Sequence, residues 1–194
     1  MSRQVKGSLF VDYVRMMKAR TDVDWSRHLE PEDLPYLQQR IDPGAWYPMA
    51  TFERLGLAIL KVIAGGDVQA ARAWGRSSVE PLAALQPGLL VEKDPRESLM
   101  RFQVYRRTFF DFEAAIVTVL HDTEVRLRIA YGMSPLAEEA ASCQAMGFFE
   151  RLVELAGGLA VTARFAEESW RGAATTTLVL SWKLPPPSGA PRRG

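Results

Sequence analysis

The hydrophobic pattern of the chain changes period near its middle. From Val5 to about Arg107 apolar residues recur at helical spacing; from Phe112 to Trp182 most of them alternate. Val125, Leu127, Ile129 and Tyr131 share one face of an extended segment, with Glu124, Arg126 and Arg128 on the other. Leu159, Val161, Ala163 and Phe165 alternate with Thr162 and Arg164; Thr176, Leu178, Leu180 and Trp182 oppose Thr175, Thr177 and Ser181. Alternation of this kind buries one face and wets the other, as in an antiparallel sheet. The pattern predicts strands at Phe112–Leu120 and Glu124–Tyr131 around a His121-Asp122-Thr123 turn, and strands at Leu159–Glu167 and Ala173–Trp182 around Arg171-Gly172. Between the two hairpins it predicts a helix over Ser134–Ala156, stopped by Gly157-Gly158.

The first half reads as helices. Leu9, Tyr13, Met16 and Met17 mark one over Val5–Ala19. A short turn follows over Asp22–Leu29, and a short helix over Leu34–Arg40 with acids at its positive end. Trp46-Tyr47-Pro48 leads into a strong helix over Met49–Ala64, striped by Phe52, Leu55, Ile59 and Val62. Gly65-Gly66 ends it, and Asp67 caps a helix from Val68 to about Leu85. Gly75 inside that helix costs about 1 kcal/mol against alanine, so it is expected where a neighbour approaches closely. Gly147 in the later helix carries the same expectation. Asp94-Pro95 and Glu97 open a further helix that runs to about Arg107. The fold class is therefore α+β: about five N-terminal helices, then a ββαββ four-stranded antiparallel sheet. Residues 1–184 form one expected domain, and the Pro-rich stretch 185–194 an expected disordered tail.

Composition narrows the function more than it defines it. Lys plus Arg is 24, Asp plus Glu 23, and the net charge is +1. Such a chain lacks the electrostatic footprint of a nonspecific nucleic-acid binder. No segment reaches the roughly 20 apolar residues of a membrane span, no signal-peptide core opens the chain, and the cytoplasm is the expected compartment. A near-neutral charge, with five tryptophans and nine phenylalanines, suggests self-association, and a homodimer is the first expectation.

Chemistry-bearing residues are few. His28 and His121 are far apart, which disfavours a histidine metal site. A heme needs only one axial histidine, but nothing around either one supports it. The lone cysteine, Cys143, has neither a base nor a positive field beside it and reads as a small buried hydrophobe. Arg101, Arg106 and Arg107 do not share one helical face and read as solvated. Neither double glycine has the context of a phosphate loop, and no serine sits on a nucleophile elbow. No cofactor, metal or catalytic residue is expected.

Val5-Lys6-Gly7-Ser8, Trp46-Tyr47-Pro48, Gly75-Arg76, Cys143, Gly147, Glu154-Leu155-Ala156-Gly157-Gly158 and Trp182 together resemble an uncharacterised, myxobacteria-restricted domain family of about this length. The order of helices followed by ββαββ is in turn similar to the ligand-binding fold of nitric-oxide-signalling and Golgi-transport proteins, including vinyl-4-reductase-type domains and TRAPP subunits. That group often has a Cys-x-x-x-Gly-Asp-x-x-Cys-x-Phe stretch in the last hairpin. Of it, Ser169–Thr177 keeps only Gly172. The Tyr-x-Ser-x-Arg motif of heme-binding relatives is not found. The favoured function is a non-enzymatic sensory or regulatory module that binds a small apolar ligand in a pocket between the central helix, the sheet and the N-terminal helices. The expected lining is Trp46, Tyr47, Phe52, Cys143, Met146 and Phe149. The alternative is an adaptor that works through protein partners.

Overall fold

The computed structural model describes residues 3–185 of the 194. Of the tail expected to be disordered, positions 186–194 lie outside the described residues. The chain runs β1 (Gln4–Lys6), α1 (Gly7–Ala19), α2 (Leu34–Gln38), β2 (Trp46–Pro48), α3 (Met49–Val62), α4 (Val68–Ser77), α5 (Val79–Leu85) and α6 (Pro95–Tyr105). The second half is β3 (Ala115–Leu120), β4 (Glu124–Ile129), α7 (Pro135–Leu155), β5 (Leu159–Glu167) and β6 (Thr176–Lys183). The expected α+β class and ββαββ order are present. The four strands form one antiparallel sheet in the order β3-β4-β6-β5.

The alternation places the core. Val125, Leu127, Ile129, Leu178 and Leu180 are fully buried on one face of the sheet, and α7 covers that face with Phe149, Leu152 and Val153. The opposite face keeps Arg126, Thr162 and Arg164 in solvent. Leu159 departs from the pattern and is exposed, because β5 carries an extra residue between Leu159 and Thr162, with Ala160 at φ 49°. A bulge shifts the side-chain phase at that point.

Two departures from the predicted elements have local causes. The helix expected over Val68–Leu85 breaks at Ser78 into α4 and α5. Pro81 lacks an amide hydrogen and crowds the carbonyl four residues back, so it is tolerated only in the first turn of a new helix. Trp46-Tyr47-Pro48, read as a lead-in to α3, is itself a strand. It pairs antiparallel with β1, with Val5 opposite Tyr47, and an isolated bridge joins Val5 to Phe110.

The glycine expectations hold. At the α4–α7 crossing a methyl group on Gly75 would overlap the Gln144 carbonyl, and one on Gly147 would overlap the Arg72 carbonyl. The two backbones touch where side chains are missing. The flanks of this contact are ionic: Arg72 Nε donates to Glu150 Oε2 at 2.9 Å, Arg76 Nη2 to Glu154 Oε2 at 2.7 Å, and Arg151 Nε to Glu80 Oε1 at 2.9 Å.

Candidate functional site

The six residues expected to line a pocket fall into separate places. Tyr47 and Phe52 join an aromatic cluster on the helical half. Tyr47 stacks on Phe10 with centroids 4.7 Å apart, Phe52 stacks on Tyr13 at 4.3 Å, and Tyr36 meets Phe10 edge-on. Trp46 lies at the surface beneath the Lys6 ammonium, 4.5 Å from the ring centroid. Met146 and Phe149 are core residues of α7, and Phe149 meets Phe102 edge-on at 4.8 Å. Cys143 is buried on the same helix. Of the six, Phe52 alone borders a crevice, where α1, α3, α4 and α7 meet. That crevice measures about 30 Å³, the share of a single water in the liquid.

Burial raises the Cys143 thiol to about 11, and Glu139 adds to the shift while Arg72 opposes it. The thiol form therefore dominates at neutral pH, and the reactive thiolate is scarce. A bulky maleimide should label native Cys143 far more slowly than the urea-unfolded chain. Equal rates in the two states would show that the side chain is open to solvent.

The larger opening is a cleft of about 250 Å³ that shares Met133 with the crevice that Phe52 borders. Three segments build it: the residue before β1, the β4–α7 loop, and the β5–β6 connection. Arg3 comes from the first. Its Nη1 donates to the Tyr131 carbonyl at 2.5 Å, and its guanidinium lies 4.8 Å over the Phe112 ring. Ile129, Met133 and Pro135 supply apolar wall from the second segment, and Trp170 supplies an indole from the third. The Trp170 Nε1 is buried with no hydrogen-bond partner among the described residues.

Glu138 lies at the base of this cleft, in the first turn of α7, and only 5% of it is exposed. Its Oε1 accepts from the Tyr131 amide and its Oε2 from the Met133 amide, each at 2.9 Å. The carboxylate thus holds the loop that turns β4 into α7. Gly132 makes the turn with φ 73°, and a side chain there would strike the Arg3 guanidinium. The N-terminus of α7 is also tied to the helical half, because Glu53 of α3 accepts from the amide and hydroxyl of Ser134.

Periodicity did not expose these residues. Arg3 precedes the first element, and Trp170 sits in a connection. Glu138 carried one signal, an acid in the first turn after Ser134-Pro135, which marks a helix start and says nothing of a cleft. Both histidines are exposed, His28 after the single turn Trp25–Arg27 and His121 in the β3–β4 turn. Among the described residues no group of three or more His, Cys, Asp or Glu is placed to hold a metal ion, and no helix is long and apolar enough to cross a membrane.

No protein-family model matches the chain, and no curated protein does. Solved structures do. The Fe(II) unliganded H-NOX protein from K. algicida superposes with a TM-score of 0.64 at 11% identity, over 93% of this chain and 97% of that one. An H-NOX protein from S. oneidensis in the Fe(II)NO ligation state gives 0.60 at 11% identity, over 92% and 99%. A structure solved to probe heme distortion in the H-NOX family gives 0.59 at 11% identity, over 97% and 100%. These findings overturn the resemblance read from short motifs. The myxobacteria-restricted family finds no support, and the neighbours are H-NOX domains rather than vinyl-4-reductase-type domains or TRAPP subunits. Across more than nine-tenths of its length, this chain has the fold of an H-NOX protein.

Proposed function

We propose that the protein is a non-enzymatic sensory or regulatory module that binds a small ligand in the cleft bordered by Arg3, the β4–α7 loop and the β5–β6 connection, without using heme. The observation that carries this reading is the make-up of the cleft. Its walls come from Arg3, from the β4–α7 loop and from the connection before β6, so an occupant contacts the segment ahead of β1 and the sheet half at once. The Arg3 carbonyl accepts from the Met49 amide, the first residue of α3, at 3.0 Å. A ligand that draws on Arg3 therefore acts on the residue that anchors the longest helix of the first half. Differential contact of that kind is what shifts a conformational equilibrium.

The solved H-NOX neighbours are iron and heme proteins by their descriptions, so the fold raises the question of heme here. The residues do not fit it. Heme iron is held by histidine, thiolate, methionine with histidine, or tyrosinate. Both imidazoles are on the surface. The interior donors are Cys143, held as a thiol, and Tyr13 and Tyr131, whose hydroxyls burial pushes far above their ordinary range. The interior is packed with Phe10, Tyr13, Phe52, Phe102 and Phe149, and the crevice beside Tyr13 and Phe52 is the size of one water, against roughly 300–1,000 Å³ for ordinary ligand pockets. Titration with hemin should give no saturable change in the Soret band at one equivalent. A sharp one-to-one endpoint would restore heme to this fold.

The small apolar ligand expected from the sequence needs revision for the same reason. The opening with room for a ligand carries an arginine and a glutamate beside its apolar wall. The adaptor alternative depended on an exposed aromatic patch. Among the described residues, Trp46 is the only ring in the set of exposed large hydrophobic side chains, and Lys6 covers it. The aromatic surplus behind the homodimer expectation is likewise packed inside, with Phe10, Trp25, Phe52, Phe102, Phe109, Phe149 and Trp182 all buried.

The test is a thermal-shift screen of small water-soluble metabolites against the protein and an Ala130→Trp variant, which fills the cleft. The expected result is at least one compound that raises the melting temperature of the first and not of the second. A screen in which no compound separates the two proteins would sink the reading.

A further inference from the structure

We infer that the cleft is built for a zwitterion, an α-amino acid with a short apolar side chain; this rests on the ligand-binding reading above and specifies its ligand. Two opposite charges line the same cleft, and neither is neutralised. Twelve of the seventeen arginines among the described residues form an ion pair with a carboxylate. Arg3 is not one of them. It spends one of its five N–H donors on the Tyr131 carbonyl, which leaves a fork that suits a carboxylate. Glu138 has no cationic partner among the described residues either, although it is almost wholly buried.

A buried carboxylate without a cation is costly unless its oxygens are well occupied. Two backbone amides occupy half of the roughly four acceptor positions on Glu138. An ammonium group would take another and supply the missing charge. Arg3 and Glu138 are too far apart to pair directly, yet both border one volume of about 250 Å³. That is the liquid volume of about eight waters, a size class that includes small amino acids. A simple anion would satisfy Arg3 and leave Glu138 beside a second negative charge. A simple amine would do the reverse. A molecule with both groups on adjacent atoms answers both, and Ile129, Met133, Pro135 and the Trp170 ring then face its side chain.

The experiment uses the full chain and varies the ligand first, so that no variant has to fold. Alanine, valine and leucine are compared in thermal-shift and calorimetric titrations with their amides, which lack the carboxylate, and with the matching 2-hydroxy acids, which lack the ammonium. The expected result is a melting-temperature rise of a few degrees with at least one amino acid at millimolar concentration, and at least tenfold weaker binding of both analogues. Arg3→Gln should weaken the amino acid by the same order, with each protein's shift measured from its own ligand-free melting temperature. Equal binding of an amino acid and its 2-hydroxy acid would overturn the zwitterion. So would a metabolite hit, lost in Ala130→Trp, that carries no paired ammonium and carboxylate; in that case the ligand-binding reading survives. If nothing binds the cleft, both readings fall.

Discussion

Replacing Gly147 by leucine should cost about 3 kcal/mol of stability, which for a chain of this size lowers the melting temperature by about 6–12 °C. The cause is not lost helix propensity, since leucine is the better helix former. It is that α4 and α7 meet backbone to backbone, and the first atom added at Gly147 already overlaps the Arg72 carbonyl. Nothing flexible can move aside, because the obstacle is the main chain of a helix held by Arg72–Glu150 and Arg76–Glu154. Gly75→Leu on the facing helix should cost a similar amount for the mirror reason. Thermal melts of the two variants check this. A Gly147→Leu protein with an unchanged melting temperature would mean that α4 is not docked there.

Arg54→Leu should be comparably damaging, at about 3 kcal/mol. Asp33 is fully buried. Its only cationic partner among the described residues is Arg54, which grips both of its oxygens, Nε to Oδ2 and Nη2 to Oδ1, each at 2.7 Å. Removing the guanidinium strands a carboxylate in the core of the helical half. The pair also fixes α2 against α3, and α2 carries the Tyr36 ring that meets Phe10 and Tyr47 edge-on. Arg54→Lys should recover little, because a point charge cannot reproduce the two-pronged contact. The double variant Arg54→Leu, Asp33→Leu should recover most of the loss, since it leaves no uncompensated charge. Urea unfolding of the three proteins separates these cases. A double variant no more stable than Arg54→Leu alone would show that the arginine acts by packing and not by charge.

Much of this architecture was legible in the order of residues. The bounds of α7 and β5 follow from long runs of one period closed by Gly157-Gly158, a local signal at every step. The break between α4 and α5 was also written in the chain, at Pro81, but the continuous spacing of Ala71, Trp74, Val79 and Leu82 outweighed it. The β1–β2 pair was not legible. Each strand has three residues, too few to show a period, and the partners lie about 40 positions apart. The cleft was hidden for a related reason. Arg3, Glu138 and Trp170 belong to three loops or element ends that only the folded chain brings together, and each is ordinary where it stands. The conspicuous aromatic and sulfur residues stood out instead; Phe52, Cys143, Met146 and Phe149 on strong helices became core, and Trp46 in β2 stayed at the surface.

The seam made by β1 also bears on how the protein is born. Gln4 and Lys6 exchange backbone hydrogen bonds with Asp111 and Phe109, and Arg3 reaches Tyr131. Residues 3–6 thus meet their partners in two stages: β2 and Met49 about 40 positions later in the chain, then Phe109, Asp111 and Tyr131 more than a hundred later. A nascent chain can stack the rings of α1 and α3 and pair β1 with β2 early, but the second set of contacts to residues 3–6 waits until the β4–α7 loop has been made. Synthesis halted before Tyr131 should therefore leave residues 3–6 held by β2 and Met49 alone and cut faster by proteases than in the finished fold.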